Sequence, residues 1–317
     1  MNNPITVETV IKATAERVWK LWTTPADIIQ WNNPSGDWQT LRVDNDLKIG
    51  GKFLFRMEAK DGSDGFDFGG KYDKVITNEL IEYTLDDRRK TLIEFIAKDG
   101  STILIETFDP EAKTPADIQR DFCQSVLNNF KRYVEKENNK MEIMITEISV
   151  EFGKTSDELI QLIVSTNEDH FNEIPFEGSW SAAQVGDHLL KSYGLVEVLS
   201  DGPVKQTERL PEKEIEQVKK IFLDFNAKYK SAETLLPTNE SIEKEKLLSG
   251  LQKRISQIKE VIQTKDLTET CVGLPFNGIG ELTRIEWLHV ILFHTQRHIH
   301  QMKNILRSLQ TIVNKES

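Results

Sequence analysis

Residues 285–307, IEWLHVILFHTQRHIHQMKNILR, repeat apolar side chains at helical spacing and carry four of the chain's six histidines. His294 and His298 are four residues apart, so on an α-helix they project from one face, about one turn from each other. Trp287 and Ile305 fall near the same face, which turns both imidazoles toward a packed interior. The segment therefore predicts a long helix that faces a core and brings two potential metal ligands together.

A divalent-metal site usually has three protein ligands and keeps a further position open. His188 is the favoured third ligand, because Ser181 and Gln184 have the spacing of a capping box that starts a helix and His188 lies on the apolar side of that helix. His170 is the alternative, in a polar stretch typical of a loop. Histidines at this spacing also occur as packed core residues, so spacing alone leaves both interpretations open.

Length and charge narrow the class of protein. A chain of 317 residues exceeds a typical single domain, so two domains are expected. The net charge of −11 is shared by both halves without a basic stripe, which argues against nucleic-acid binding. No apolar run approaches the ~20 residues of a membrane helix, and residues 1–13 lack a signal-peptide layout, so a cytoplasmic protein is expected. Cys123 and Cys271 are interpreted as ordinary reduced thiols.

The first half of the sequence has the periodicity of strands. Residues 5–11 alternate apolar and polar side chains, two short helical segments follow, and four strand-like segments separated by turns come next. Thr114 and Pro115 then mark the start of a long closing helix. This order predicts an α+β unit in which a curved antiparallel sheet grips the last helix.

The segments VWKLWTTPADIIQW, IGGKFLF, DGSTILIE and CQSVLNNFKRYVE resemble the SRPBCC superfamily of START-like helix-grip domains, in particular the homologues of the activator of the heat-shock-chaperone ATPase. The resemblance spans about residues 5–137. It implies an apolar cavity between sheet and helix that suits a small hydrophobic ligand. Candidates to line it are Trp22, Trp31, Phe53, Phe55 and Phe122. The alternative is that these aromatic side chains simply fill a core.

The second half of the sequence has helical periodicity. Residues 135–144 are polar and Asn-rich and are interpreted as a linker, which divides the chain into domains 1–138 and 139–317. Residues 211–231 and 241–263 predict further amphipathic helices.

The capping segment before His188 and the segment LPFNGIGELTRIEWLHVILFHTQRHIHQM resemble the DinB family, over about residues 141–313. This resemblance implies an all-α, up-down four-helix bundle in which His188, His294 and His298 hold a divalent ion, commonly zinc or nickel. For some members it also implies transferase or hydrolase chemistry with a low-molecular-weight thiol.

The two resemblances give a first hypothesis of a two-domain protein that binds a small hydrophobic ligand in one domain and a divalent metal in the other. Whether the second domain is a metal-dependent enzyme stays open. The alternative is a stress-response binding protein that regulates the heat-shock chaperone without catalysis, although a shared fold does not transfer that activity. A homodimer is compatible with either hypothesis.

Overall fold

The computed structural model describes residues 3–33, 35–227 and 229–316, without the side chains of residues 312–316. No helix within these residues combines the length and the apolar character needed to cross a membrane.

The chain divides into two compact units. Met1–Ile143 is the bulk of the first unit, and Met144–Thr207 with Pro211–Ser317 forms the second. Each has its own apolar core.

The first unit is an antiparallel sheet with helices α1 (Ala15–Thr23) and α2 (Pro25–Trp31) after its first strand and helix α3 (Ala116–Ser165) after its last. Its strands are β1 (Ile5–Ile11), β2 (Trp38–Asn45), β3 (Lys52–Ala59), β4 (Gly65–Ile76), β5 (Leu80–Leu85), β6 (Lys90–Lys98) and β7 (Ser101–Phe108). They follow the order β1-β7-β6-β5-β4-β3-β2, so the first strand pairs with the last. The predicted pair of short helices is confirmed, because Pro25 starts α2 as a separate helix.

Helix α3 packs on one face of this sheet. Leu127, Phe130 and Val134 of the helix are fully buried in one cluster with alternate residues of the strands. Asp99 and Gly100 join β6 to β7 with φ angles of 45° and 75°, the left-handed conformation that a tight hairpin turn requires. The predicted α+β architecture, an antiparallel sheet closed by a long helix, is confirmed.

The predicted linker is wrong as a break in secondary structure. Residues 135–144 are helical and belong to α3, which also continues through Gly153. The segment 135–144 contains neither proline nor glycine, and its Glu, Lys and Met residues favour helix. The polar composition of this segment reflects solvent exposure of a helix and does not indicate a loop.

The second unit is mainly helical, and its predicted bundle architecture is confirmed. Its further helices are α4 (Glu168–Phe171), α5 (Ala182–Ser192), α6 (Val196–Asp201), α7 (Ile215–Leu223), α8 (Lys244–Thr264) and α9 (Arg284–Glu316). The later part of α3 shares one core with α5, α8 and α9, as shown by the buried residues Phe152, Leu189, Ile258 and Met302.

Two expectations for this unit are corrected. The helix expected over 211–231 is limited to α7, and the segment LPFNGIGELT before the last helix, where helices alone were expected from an all-α bundle, contributes to a β-hairpin. The strands β8 (Val204–Lys205), β9 (Thr270–Phe276) and β10 (Gly280–Thr283) form a sheet of order β10-β9-β8. These strands were not predicted, because segments of two to seven residues are too short to show a clear alternation of apolar and polar side chains.

Candidate metal centre

Helix α9 begins with a reciprocal cap. The Thr283 amide donates to Oε2 of Glu286 at 2.9 Å, and the Glu286 amide donates to Oγ1 of Thr283 at 3.4 Å. This capping box leaves the Glu286 side chain fully buried. The cap fixes where the helix starts and so sets which face His294 and His298 occupy.

Helix α5 carries the third histidine. Its predicted capping box is confirmed, because the Gln184 amide donates to Oγ of Ser181 and the Ser181 amide donates to Oε1 of Gln184, both at 3.1 Å. His188 follows one turn after Gln184 and is 2% exposed. The cap therefore directs His188 inward, toward α9.

The three imidazoles approach one another through their Nε2 atoms. Nε2 of His294 lies 3.1 Å from Nε2 of His188 and 3.0 Å from Nε2 of His298. All three potential ligand atoms lie within 4.8 Å of one another. A tetrahedral zinc ion with bonds of about 2.0–2.1 Å to nitrogen separates its ligand nitrogens by about 3.3 Å, so the two contacts to His294 are within a few tenths of an ångström of that spacing.

The other ring nitrogen fixes the tautomer of two of these histidines. Nδ1 of His188 lies 2.7 Å from the carbonyl oxygen of Leu235, and Nδ1 of His298 lies 2.8 Å from Oε1 of Gln301. Because both oxygens only accept, each Nδ1 carries the proton and donates it. Both Nε2 atoms therefore turn lone pairs toward His294, the arrangement typical of metal-binding histidines with an outer hydrogen-bond partner.

Burial keeps the cluster neutral. It lowers the pKa of His294 well below its ordinary value, helped by the two neighbouring imidazoles. Burial also lowers the pKa of His298 to about 3 and lowers that of His188. If Nε2 of His294 carries a proton, it can donate that proton to His188 or to His298 but not to both. A cation would accept one lone pair from each of the three Nε2 atoms. The donor set therefore fits a borderline divalent ion such as zinc or nickel.

Aromatic rings surround the histidines. The Trp180 ring stacks on His298 with 6.3 Å between centroids and lies 5.2 Å from the His188 ring. Phe222 packs edge-on at 5.4 Å from His294. Such walls exclude water and hold the imidazoles in place.

The remaining histidines lie apart from this cluster. Nδ1 of His170 lies 2.5 Å from Oε2 of Glu173, on the short helix α4. His289 donates from Nδ1 to the Ile285 carbonyl at 2.8 Å, and His300 is exposed. Among the described residues, His188 and not His170 is therefore the histidine that joins the pair on α9.

Sequence reasoning missed the groups that orient the ligands. Gln301 was recognisable, because it lies three residues after His298 and so on the same helix face. The Leu235 carbonyl was not recognisable, since any residue supplies one. Trp180 belongs to the capping segment before α5, where its role was not apparent from spacing.

Two family profiles match the chain. The profile of the Activator of Hsp90 ATPase homolog 1-like protein family, AHSA1, matches residues 12–135. The DinB superfamily profile matches residues 151–302, which include all three clustered histidines. The chain joins an AHSA1-like domain to a DinB-like domain. This confirms the two predicted resemblances.

Individual relatives match one part of the chain each. An AHSA1-like protein from Aeromonas hydrophila, solved in solution, is 39% identical and covers 43% of this chain and 94% of its own, with a TM-score of 0.41. Chr148 from Cytophaga hutchinsonii is 47% identical over 44% of this chain and 96% of its own, with a TM-score of 0.40. The uncharacterized protein YuaE of Bacillus subtilis is 28% identical over 149 residues, 45% of this chain and 88% of YuaE.

The aromatic candidates of the AHSA1-like domain have different environments. Trp31 and Phe53 are each 4% exposed, whereas Trp22 and Phe55 are half-buried. Trp22 stacks on Trp31 at 4.7 Å, and Phe53 lies 5.3 Å from Phe55. Phe122 is 43% exposed and lies outside the core cluster, so it is not brought together with the others.

Both cysteines have pKa values that suit inert thiols. Burial raises the pKa of Cys271 to about 11 and raises that of Cys123 further. At neutral pH both are protonated, whereas a nucleophilic cysteine needs the thiolate.

Proposed function

We propose that the DinB-like domain binds one divalent metal ion, zinc or nickel, through His188, His294 and His298. The convergence of three Nε2 atoms on one point, two of them with tautomers fixed by outer partners, carries this proposal. Neutral, buried imidazoles have no proton to lose before they bind a cation.

The proposed chemistry is thiol-dependent transfer or hydrolysis. A divalent ion with three histidine ligands keeps a position for water or a thiol and lowers the pKa of that group near neutrality. The protein's own contribution is to orient the three imidazoles through Leu235 and Gln301 and to shield them with Trp180 and Phe222. The AHSA1-like family resemblance adds nothing to this chemistry.

Metal content tests the binding. Untagged protein prepared without chelators should contain about one equivalent of metal by mass spectrometry, and His188→Ala, His294→Ala and His298→Ala should each lose it. His300→Ala is the matched control, because His300 lies on the same helix but is exposed and outside the cluster. A wild-type protein that stays empty after incubation with zinc and nickel contradicts the proposal.

Thiol chemistry has a separate test. The metal-loaded protein should accelerate the conjugation of glutathione, a representative thiol, with 1-chloro-2,4-dinitrobenzene, and His294→Ala should not. Equal rates for the two proteins would remove the proposed transferase chemistry and leave metal binding standing.

We infer a second function for the AHSA1-like domain, the binding of a small hydrophobic ligand between sheet and helix. Half-buried apolar side chains border its core, among them Trp22, Val43, Phe55 and Phe68, and they offer apolar surface to a molecule of that kind. Titration with 1-decanol by calorimetry should give saturable binding at one site. The absence of saturable binding contradicts it.

A further inference from the structure

Among the described residues, one strand carboxylate lies on the inner face of the sheet of the AHSA1-like domain. Glu106 on β7 is paired with Val7 of β1 and with Ile93 of β6. Paired residues of antiparallel strands point to the same face, and these two neighbours are 2% and 0% exposed. Along β7 itself, Leu104 and Phe108 share the face at 0% and 7% exposure. Glu106 is therefore a carboxylate between two apolar cross-strand neighbours, Val7 and Ile93.

No partner compensates this carboxylate. Within the described part of the chain, no group donates a hydrogen bond to Glu106, and burial raises its pKa to about 7. The charge of Glu106 acts on two titratable groups, Tyr83 of β5 and Cys123 of α3. Burial, with this charge, raises the pKa of each, so both are neutral at pH 7. A carboxylate half-buried among apolar side chains without a cation or donor beside it is costly, and groups with shifted pKa values concentrate at functional sites.

The carboxylate is nevertheless reachable. Glu106 keeps part of its surface exposed, as do its neighbour Cys123 and the half-buried Val126 on α3. Half-covered apolar side chains of the same core cluster continue farther along the sheet, at Phe68 of β4 and Phe55 of β3. A molecule that enters between α3 and β7 would thus meet apolar side chains and, among them, the Glu106 carboxylate.

We propose that Glu106 is the polar anchor of the ligand site and that the ligand is an apolar molecule ending in a protonated amine. The inference rests on the proposed ligand binding by this domain. A cationic N–H donor supplies both the charge and the hydrogen bonds that the carboxylate lacks, whereas a neutral donor leaves the charge uncompensated. An anionic ligand would place two like charges together in an apolar surrounding.

Three ligands of equal chain length test the proposal on the full-length protein. Decylamine, 1-decanol and decanoate, each below its aggregation concentration, are titrated by calorimetry at pH 7.5. Decylamine should bind at least about tenfold more tightly than decanol, and decanoate should bind most weakly. Glu106→Gln should abolish the preference for the amine and leave decanol binding within about twofold.

Glu8→Gln is the matched control, because Glu8 lies beside Val7 on β1 but on the exposed face of the same sheet. It should leave all three affinities unchanged. The preference for decylamine over decanol is measured on the wild type as well, so the test does not depend on the folding of a variant.

Each remaining outcome has a definite meaning. Equal binding of the three probes, or a decylamine affinity that Glu106→Gln leaves unchanged, overturns the inference while ligand binding stands. If none of the probes binds, the proposed ligand binding and the inference fall together.

Discussion

Nε2 of His188 lies 3.1 Å from Nε2 of His294, although the two residues are 106 positions apart in the sequence. The contact joins α5 to α9 at a point where desolvation lowers the pKa of both imidazoles and keeps them uncharged. Two lone pairs at this distance repel unless a proton or a cation lies between them. An N–H···N hydrogen bond from His294 can satisfy this contact or the one to His298, whereas a bound cation would satisfy both at once.

Zinc should stabilise the protein through this contact. A ligand that binds the native state alone, at 100 times its dissociation constant, raises the free energy of unfolding by about 2.7 kcal/mol. Calorimetry should show one thermal transition that moves to higher temperature with zinc and returns when a chelator is added. In His294→Ala the same transition should not respond; a response there would place the zinc elsewhere.

Gln301 should tune metal affinity without being a ligand. Its Oε1 accepts the Nδ1 proton of His298, so Gln301→Ala removes the group that holds this tautomer and ring orientation. Loss of such an outer partner typically weakens metal affinity about 10–100-fold. Competition with a chromophoric chelator measures it. Gln301→Glu keeps an acceptor and should retain the wild-type affinity or exceed it, whereas equal losses in both variants would point to packing alone.

Much of the histidine cluster could be predicted from the sequence because its signals are local. The spacing of His294 and His298 and the capping box before His188 each lie within one helical turn. That these elements meet could be expected only from the DinB resemblance. The Leu235 carbonyl, which fixes the tautomer of His188, leaves no trace in a sequence.

The fold of the first domain was predictable for the same reason, while the uninterrupted α3 was not. Strand alternation and a glycine turn are visible within a few residues, but polar residues 135–144 are compatible with both a linker and an exposed helix. Glu106 was visible as well. It alternates with Leu104 and Phe108 along β7, so a carboxylate on the inner face could have been noticed.

The raised pKa of Glu106 should make folding stability depend on pH. Its pKa rises from an ordinary 4.5 to about 7, so the folded state binds its proton more tightly than the unfolded state. Stability is then fully present below about pH 4.5 and is lost as pH rises through 7, by at most roughly 3 kcal/mol.

Urea unfolding of wild type and Glu106→Gln at pH 5 and pH 8 checks this dependence. The variant should gain stability relative to the wild type at pH 8. Asp27, whose pKa burial raises to about 6, contributes equally to both proteins and cancels in the difference. A difference that does not change between the two pH values would mean that Glu106 is not buried as an acid.

Trp180 should report on metal binding by fluorescence. Its ring lies 6.3 Å from the ring of His298 and 5.2 Å from that of His188, close enough for a bound open-shell ion to quench its emission. Nickel should therefore lower the tryptophan fluorescence with the same dissociation constant as chelator competition gives. Zinc has a filled d shell and serves as the control that binds without this quenching. Trp180→Phe keeps an aromatic wall and should retain the metal while most of the nickel-dependent quenching disappears. Quenching of undiminished size in Trp180→Phe would assign the signal to another tryptophan and place the nickel away from this cluster.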